Sequence, residues 1–171
     1  MVIERDGVCV ECGFDWARAA TACAHDIRTH GVDALEVLSE NAPLVRERPE
    51  PEIWSLLEYS AHLRDALDFY RERITRTVTE DRPQLHAFDF AGACERFGYN
   101  DEEAELTRDG LERAIDAIVA TVANLDDDAL TRVAIGSNGD ERTVLVLTRR
   151  AAHEAVHHAL DLHRVRDAVA R

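Results

Sequence analysis

No apolar run in the 171-residue chain approaches the roughly 18–20 residues that a helix needs to span a bilayer. The opening Met1-Val-Ile-Glu-Arg-Asp-Gly has no basic stretch leading into an apolar one. A signal peptide is therefore not expected, and the cytoplasm is the expected location. Positive charge is also scarce: 20 Lys and Arg stand against 34 Asp and Glu, for a formal net charge of −14. Phosphate contacts need clustered cations, so neither nucleic acid nor an anionic membrane surface is expected as a partner. No internal repeat or low-complexity tract is visible. One Cys-x-x-Cys occurs and no second, with no strand–helix–strand pattern to give it a redox setting.

What is present suits a folded domain. Apolar residues make up 46% and charged residues 32% of the chain, and the length allows a real core. The expected organisation is a short Cys-containing N-terminal segment, 1–14, followed by one helical domain, 15–171. Apolar residues at helical spacing predict a helix from Asp15 to about Glu40, which Gly31 should weaken or bend. A second should run from about Glu52 to Thr79, with Pro51 suited to its first turn and Leu56, Tyr59, Leu63, Leu67, Tyr70 and Ile74 on one face. Residues 81–100, with Pro83, Gly92 and Gly98, read as a long surface crossover and a candidate site wall. A third helix should open at Asn100 or Asp101, carry Glu102 and Glu103 in its first turn, and end near Asn124. The Ser-Asn-Gly-Asp turn within 131–142 predicts a small hairpin, and Thr143 a cap for a last helix reaching about Ala170. The expected fold class is all-α, a four-helix bundle with one long crossover.

Chemistry concentrates in the last helix, Ala151-Ala-His-Glu-Ala-Val-His-His-Ala-Leu-Asp-Leu-His163. Residues four apart share a helix face, so His153 with His157, or Glu154 with His158, could grip one ion. His62, well inside the second helix, is the natural third ligand. Ala151, Ala152, Ala155, Val156, Ala159 and Leu162 define the buried arc. At about 100° per residue His158 lies roughly 85° from the arc's centre and His157 roughly 175°, toward solvent. That favours Glu154 and His158, with His153 and His157 as the alternate pair. The latter also fits H-E-x-x-H, the zinc-hydrolase signature, although Leu160 stands where the extended motif has glycine.

Two segments resemble a known family. Trp54-Ser-Leu-Leu-Glu-Tyr-Ser-Ala-His62 resembles the second helix of DinB-like proteins, with tryptophan eight positions before a metal-binding histidine. Glu154, His157-His158 and Asp161 match the ligand pattern of their last helix. Most DinB-like proteins have histidine in place of Glu154. The related mycothiol-dependent maleylpyruvate isomerases have glutamate there and an H-x-x-D-L ending, which His158-Ala-Leu-Asp161-Leu162 reproduces. The resemblance, over roughly 16–170, implies a DinB-type bundle holding one divalent ion, zinc or nickel, on His62, Glu154 and His158. It also implies an open coordination position and activation of a low-molecular-weight thiol.

Cys9-Val-Glu-Cys12-Gly has the form of half a zinc knuckle, hence a candidate second metal site. Cys23, Cys94, His25 and His30 are the nearby residues of the right type to complete it. The functional expectation is a metal- and thiol-dependent S-transferase or isomerase acting on a small electrophile, with Asp161 orienting a ligand and His157 supplying a proton. A metal-binding stress or interaction protein without turnover is the alternative, and an H-E-x-x-H zinc hydrolase a further one. The expected partners are a small-molecule substrate or thiol, with a homodimer left open.

Overall fold

The computed structural model describes residues 4–5 and 7–171, with side chains for 7–89 and 92–171. In chain order the elements are β1 (Glu4–Arg5), β2 (Val8–Cys9), α1 (Ala20–Glu40), α2 (Leu56–Thr79), α3 (Phe90–Phe97), α4 (Ala104–Ala123), α5 (Asp127–Thr131), β3 (Val133–Ile135), β4 (Glu141–Thr143) and α6 (Val144–Val169). The four long helices make the expected bundle. α4 and α6 each pack against both α1 and α2, while the consecutive α1 and α2 meet only weakly across the diagonal. Ile27, Leu63, Leu67, Ile115 and Leu147 meet in the interior with no exposed surface to speak of. Burying each such side chain contributes about 1.5–3 kcal/mol.

Helix starts follow local hydrogen bonding more closely than apolar spacing. α1 begins at Ala20, not Asp15, because 15–19 are held against the N-terminal hairpin. The Trp16 N–H donates to the Gly7 carbonyl at 2.9 Å, and Asp15 bridges Val8. α2 begins after Ser55, and Pro51 lies in a turn ahead of it rather than in its first turn. The Ser55 hydroxyl accepts from the Glu58 N–H at 3.2 Å, and the Glu58 carboxylate accepts from the Ser55 N–H at 2.8 Å. This is a capping box, strengthened by Arg48, which ion-pairs with the same carboxylate. Tyr99–Asp101 form a single 3-10 turn, and α4 starts at Ala104. Glu102 is engaged instead by Arg64 at 2.6 Å and by Thr107 at 2.8 Å.

The crossover after α2 is more ordered than its weak periodicity suggests. It holds α3, capped by Asp89 and closed by Gly98 at φ 64°. Cys94 donates to Glu58 at 3.1 Å, and Tyr99 is fully buried. The expected hairpin is present as β3 and β4, paired Ala134 with Arg142, with Gly139 at φ 83° in its turn. α6 starts where the sequence places it, with Thr143 accepting from the Val146 N–H at 3.2 Å.

Gly31 does not interrupt α1, which is continuous across it. A Cβ at that position would lie 2.7 Å from Ile115 Cδ1 and 2.8 Å from its Cγ1, so the glycine is what lets α1 approach α4. Alanine should add about 1 kcal/mol of helix propensity but lose more, about 1–3 kcal/mol, to overpacking. Gly31→Ala is therefore expected to lower stability in the native background and to raise it in an Ile115→Ala background. Urea unfolding of the four variants checks this. An equal effect in both backgrounds would remove the close-approach explanation.

Candidate metal centre

Seven residues beyond the Ser55 cap, α2 presents His62 to α6, where Glu154 and His158 stand one turn apart on a shared face. The Glu154 Oε2 lies 3.2 Å from His158 Nε2 and 3.8 Å from His62 Nε2. One donor atom from each of the three residues falls within 4.8 Å of the other two. Bonds of about 2.0–2.1 Å to a tetrahedral ion put neighbouring donors about 3.4 Å apart, so this spacing fits a divalent ion. The His62 and His158 rings meet edge to face at 4.6 Å. Trp54 packs on His62 at 5.1 Å and Tyr59 on His158 at 5.7 Å, closing two sides with aromatic surface. The Glu154 side chain keeps 21% of its surface exposed, so the remaining side is reachable from solvent. Alanines 151, 152, 155 and 159 are buried, as the arc construction expects.

Asp161, one turn further on, accepts from His158 Nδ1 at 3.0 Å. That contact fixes the ring and aims Nε2 toward Glu154, the usual way a carboxylate prepares a ligating imidazole. Without an ion, burial disfavours the His158 imidazolium, yet Asp161 and Glu154 outweigh burial and push its pKa up to about 9. Burial also raises the Glu154 carboxyl, but the two imidazoles overcome this and hold it well below the ordinary range. His62 is shifted the other way, down, chiefly by burial. The pocket thus carries two carboxylates and holds a proton where a metal ion would sit.

The other candidate residues form a separate group. Cys9, Cys12, His153 and His157 bring one donor each within 4.8 Å of one another. Cys23, Cys94, His25 and His30 belong to neither group among the described residues. The letters of H-E-x-x-H are therefore divided, with both histidines beside the cysteines and Glu154 beside His62. His157 does not face open solvent as its helical angle suggests. The N-terminal hairpin lies over it, with Cys9 Sγ 4.0 Å from its Nδ1. That placement sets it beside the thiols rather than with His62, Glu154 and His158. Sequence reasoning missed Glu11, 3.5 Å from His157 Nε2, and Trp16, stacked on His153 at 4.8 Å. Neither has a periodic signal, because both sit in the irregular N-terminal segment.

The metal-free protein should show this electrostatics directly. A raised histidine pKa contributes stability that is fully present below the unfolded value, near 6.5, and is lost as pH rises through the folded one. The His158 contribution should accordingly fade between about pH 6.5 and pH 9. In an NMR titration of metal-free protein, His158 should titrate near 9 and His153, whose charged form is disfavoured by burial, near 4. Asp161→Asn should lower the His158 midpoint. A His158 midpoint at the ordinary value would contradict the arrangement.

Comparison with known proteins agrees with this fold. The fold is similar to that of YfiT from Bacillus subtilis, described as a probable metal-dependent hydrolase with an unusual four-helix bundle topology. The TM-score is 0.71 at 14% identity, over 95% of this chain and 91% of that one. It is also similar to the mycothiol-dependent maleylpyruvate isomerase, with a TM-score of 0.68 at 15% identity, over 85% of this chain and 61% of the other. No curated protein sequence matches. The DinB superfamily profile matches residues 29–162, which take in His62, Glu154, His158 and Asp161. The chain belongs to the DinB superfamily.

Proposed function

We propose that the protein is a divalent-metal enzyme that activates a small thiol for transfer to, or isomerisation of, a small electrophile. The observation that carries this is the donor set itself, two imidazoles and one carboxylate gathered from α2 and α6 with one side reachable from solvent. Three protein ligands with a remaining position characterise catalytic rather than structural sites. Zinc and nickel both suit this nitrogen–oxygen set. When bound, such an ion lowers the pKa of a coordinated thiol enough to yield the thiolate at neutral pH.

The protein's own residues would supply the rest. Asp161 holds His158 in the ligating orientation, and Trp54 and Tyr59 keep water from two sides. Burial, with the Asp161 charge, pushes Tyr59 up to about 12, so its Oη keeps its proton at neutral pH and serves as a donor rather than a base. Arg150, four residues before Glu154 and on the same side of α6, adds a cation whose Nε is buried without a hydrogen-bond partner. It is suited to an anionic group on thiol or substrate. The likeness to an isomerase described as mycothiol-dependent, and the glutamate-bearing H-x-x-D-L ending, support a thiol of the mycothiol type. A second reading, hydrolysis with water in the open position, is favoured by the description of YfiT.

Cobalt-substituted protein separates these readings. Millimolar mycothiol, bacillithiol or glutathione is expected to add a sulfur-to-cobalt band to the spectrum. The added band should be missing in His158→Ala, and Asp161→Asn should weaken metal binding at this site about 10–100-fold. A spectrum unchanged by all three thiols would sink the thiol-dependent reading and leave hydrolysis or binding without turnover.

A further inference from the structure

The N-terminal hairpin contributes few buried side chains of its own to the core. Among its described side chains, Cys9 and Phe14 are the buried apolar ones. Yet the hairpin lies firmly on α6. Phe14 meets the His153 ring edge-on at 5.6 Å, Trp16 stacks on it at 4.8 Å, and Arg149 reaches the Arg18 carbonyl at 2.7 Å.

Two further observations point to a ligand at this junction. The first is His153, 4% exposed, whose Nε2 is buried without a hydrogen-bond partner. A buried polar atom left unsatisfied costs about 1–3 kcal/mol, so such an atom calls for an explanation. The second is the division of contacts around His157. Its Nδ1 faces the Cys9 sulfur at 4.0 Å, while its Nε2 lies 3.5 Å from Glu11 and 3.7 Å from Asp161. One nitrogen toward soft donors and the other toward carboxylates is how a metal-bound imidazole is held.

The cysteine loop is shaped to match. The Gly13 N–H donates to the Cys9 carbonyl, and the Cys9 N–H to the Phe14 carbonyl, both at 2.9 Å. Gly13 adopts φ 75°, a left-handed turn that brings Cys12 back beside Cys9.

We infer that Cys9, Cys12, His153 and His157 form a second, closed metal site, a four-coordinate zinc that fastens the N-terminal hairpin to α6. Two sulfurs and two imidazole nitrogens are the donor set of structural zinc, and no position remains for substrate. Binding releases the two thiol protons to solvent and changes no oxidation state. The donors are disjoint from His62, Glu154 and His158, so this site stands or falls independently of the proposed activity. Asp161 touches histidines of both groups, so the same carboxylate steadies one ligand of each ion.

Cobalt loading of the full-length chain, with no added thiol, tests the inference. Wild-type protein is expected to take up two ions and to show a strong thiolate-to-cobalt band. His158→Ala should bind one ion and keep that band, whereas His153→Ala should bind one ion and lose it. Cys12→His, which preserves four donors, should keep two ions with the band about halved. Chelation should expose the segment around Cys9–Asp15 to protease while the helices stay protected. A wild-type cobalt protein without a thiolate band, or a mass showing Cys9 and Cys12 joined as a disulfide under reducing purification, would overturn the closed site. A wild-type chain that binds only one ion and shows the band would instead retain this site and remove the catalytic one.

Discussion

Glu154 is the constraint around which this structure is arranged. A largely buried carboxylate is costly unless it is paired, and here its partners come from two helices, His62 on α2 and His158 on α6. That requirement fixes the rotation of α6 about its axis and the depth at which His62 projects from α2. It also accounts for the alanines. With small side chains at 151, 152, 155 and 159, α6 can approach its neighbours closely enough for short donors on facing helices to meet.

Once Glu154 and His158 face α2, the pair one residue earlier is rotated by about 100°. His153 and His157 are then delivered to the side of α6 that the N-terminal hairpin covers. One helix therefore serves two donor sets of different hardness, a nitrogen–oxygen set toward the bundle and a sulfur–nitrogen set toward the hairpin. The divided H-E-x-x-H follows from the same rotation. Asp161 lies where both sets can reach its carboxylate, so the two halves of α6 are not independent in charge.

Much of this was legible from the residues alone. The all-α bundle, the hairpin before α6, the Thr143 cap and the turning of Glu154 and His158 toward His62 all follow from periodicity, turn chemistry and helical angle. Helix starts were less legible, because apolar spacing does not register a hydrogen bond. Trp16 bonded to Gly7, and Ser55 to Glu58, decide where α1 and α2 begin. α3 was hidden by the prolines and glycines around it, although Asp89 caps it and Gly98 ends it in ordinary fashion. The partners of Cys9 and Cys12 lie more than 140 residues away, beyond any local pattern. The solvent-facing assignment of His157 failed for the same reason, since a helical wheel knows nothing of a distant segment folded over it.

The proposed site has His62, Glu154 and His158 holding one divalent ion between α2 and α6. It is tested most directly by anomalous diffraction at the metal edge from crystals of the protein as purified. An anomalous peak is expected within bonding distance of His62 Nε2, His158 Nε2 and a Glu154 carboxylate oxygen, with Asp161 on the far side of the His158 ring. Crystals of zinc-supplemented protein with no peak between these three residues, and with His158 still hydrogen-bonded to Glu154, would contradict it.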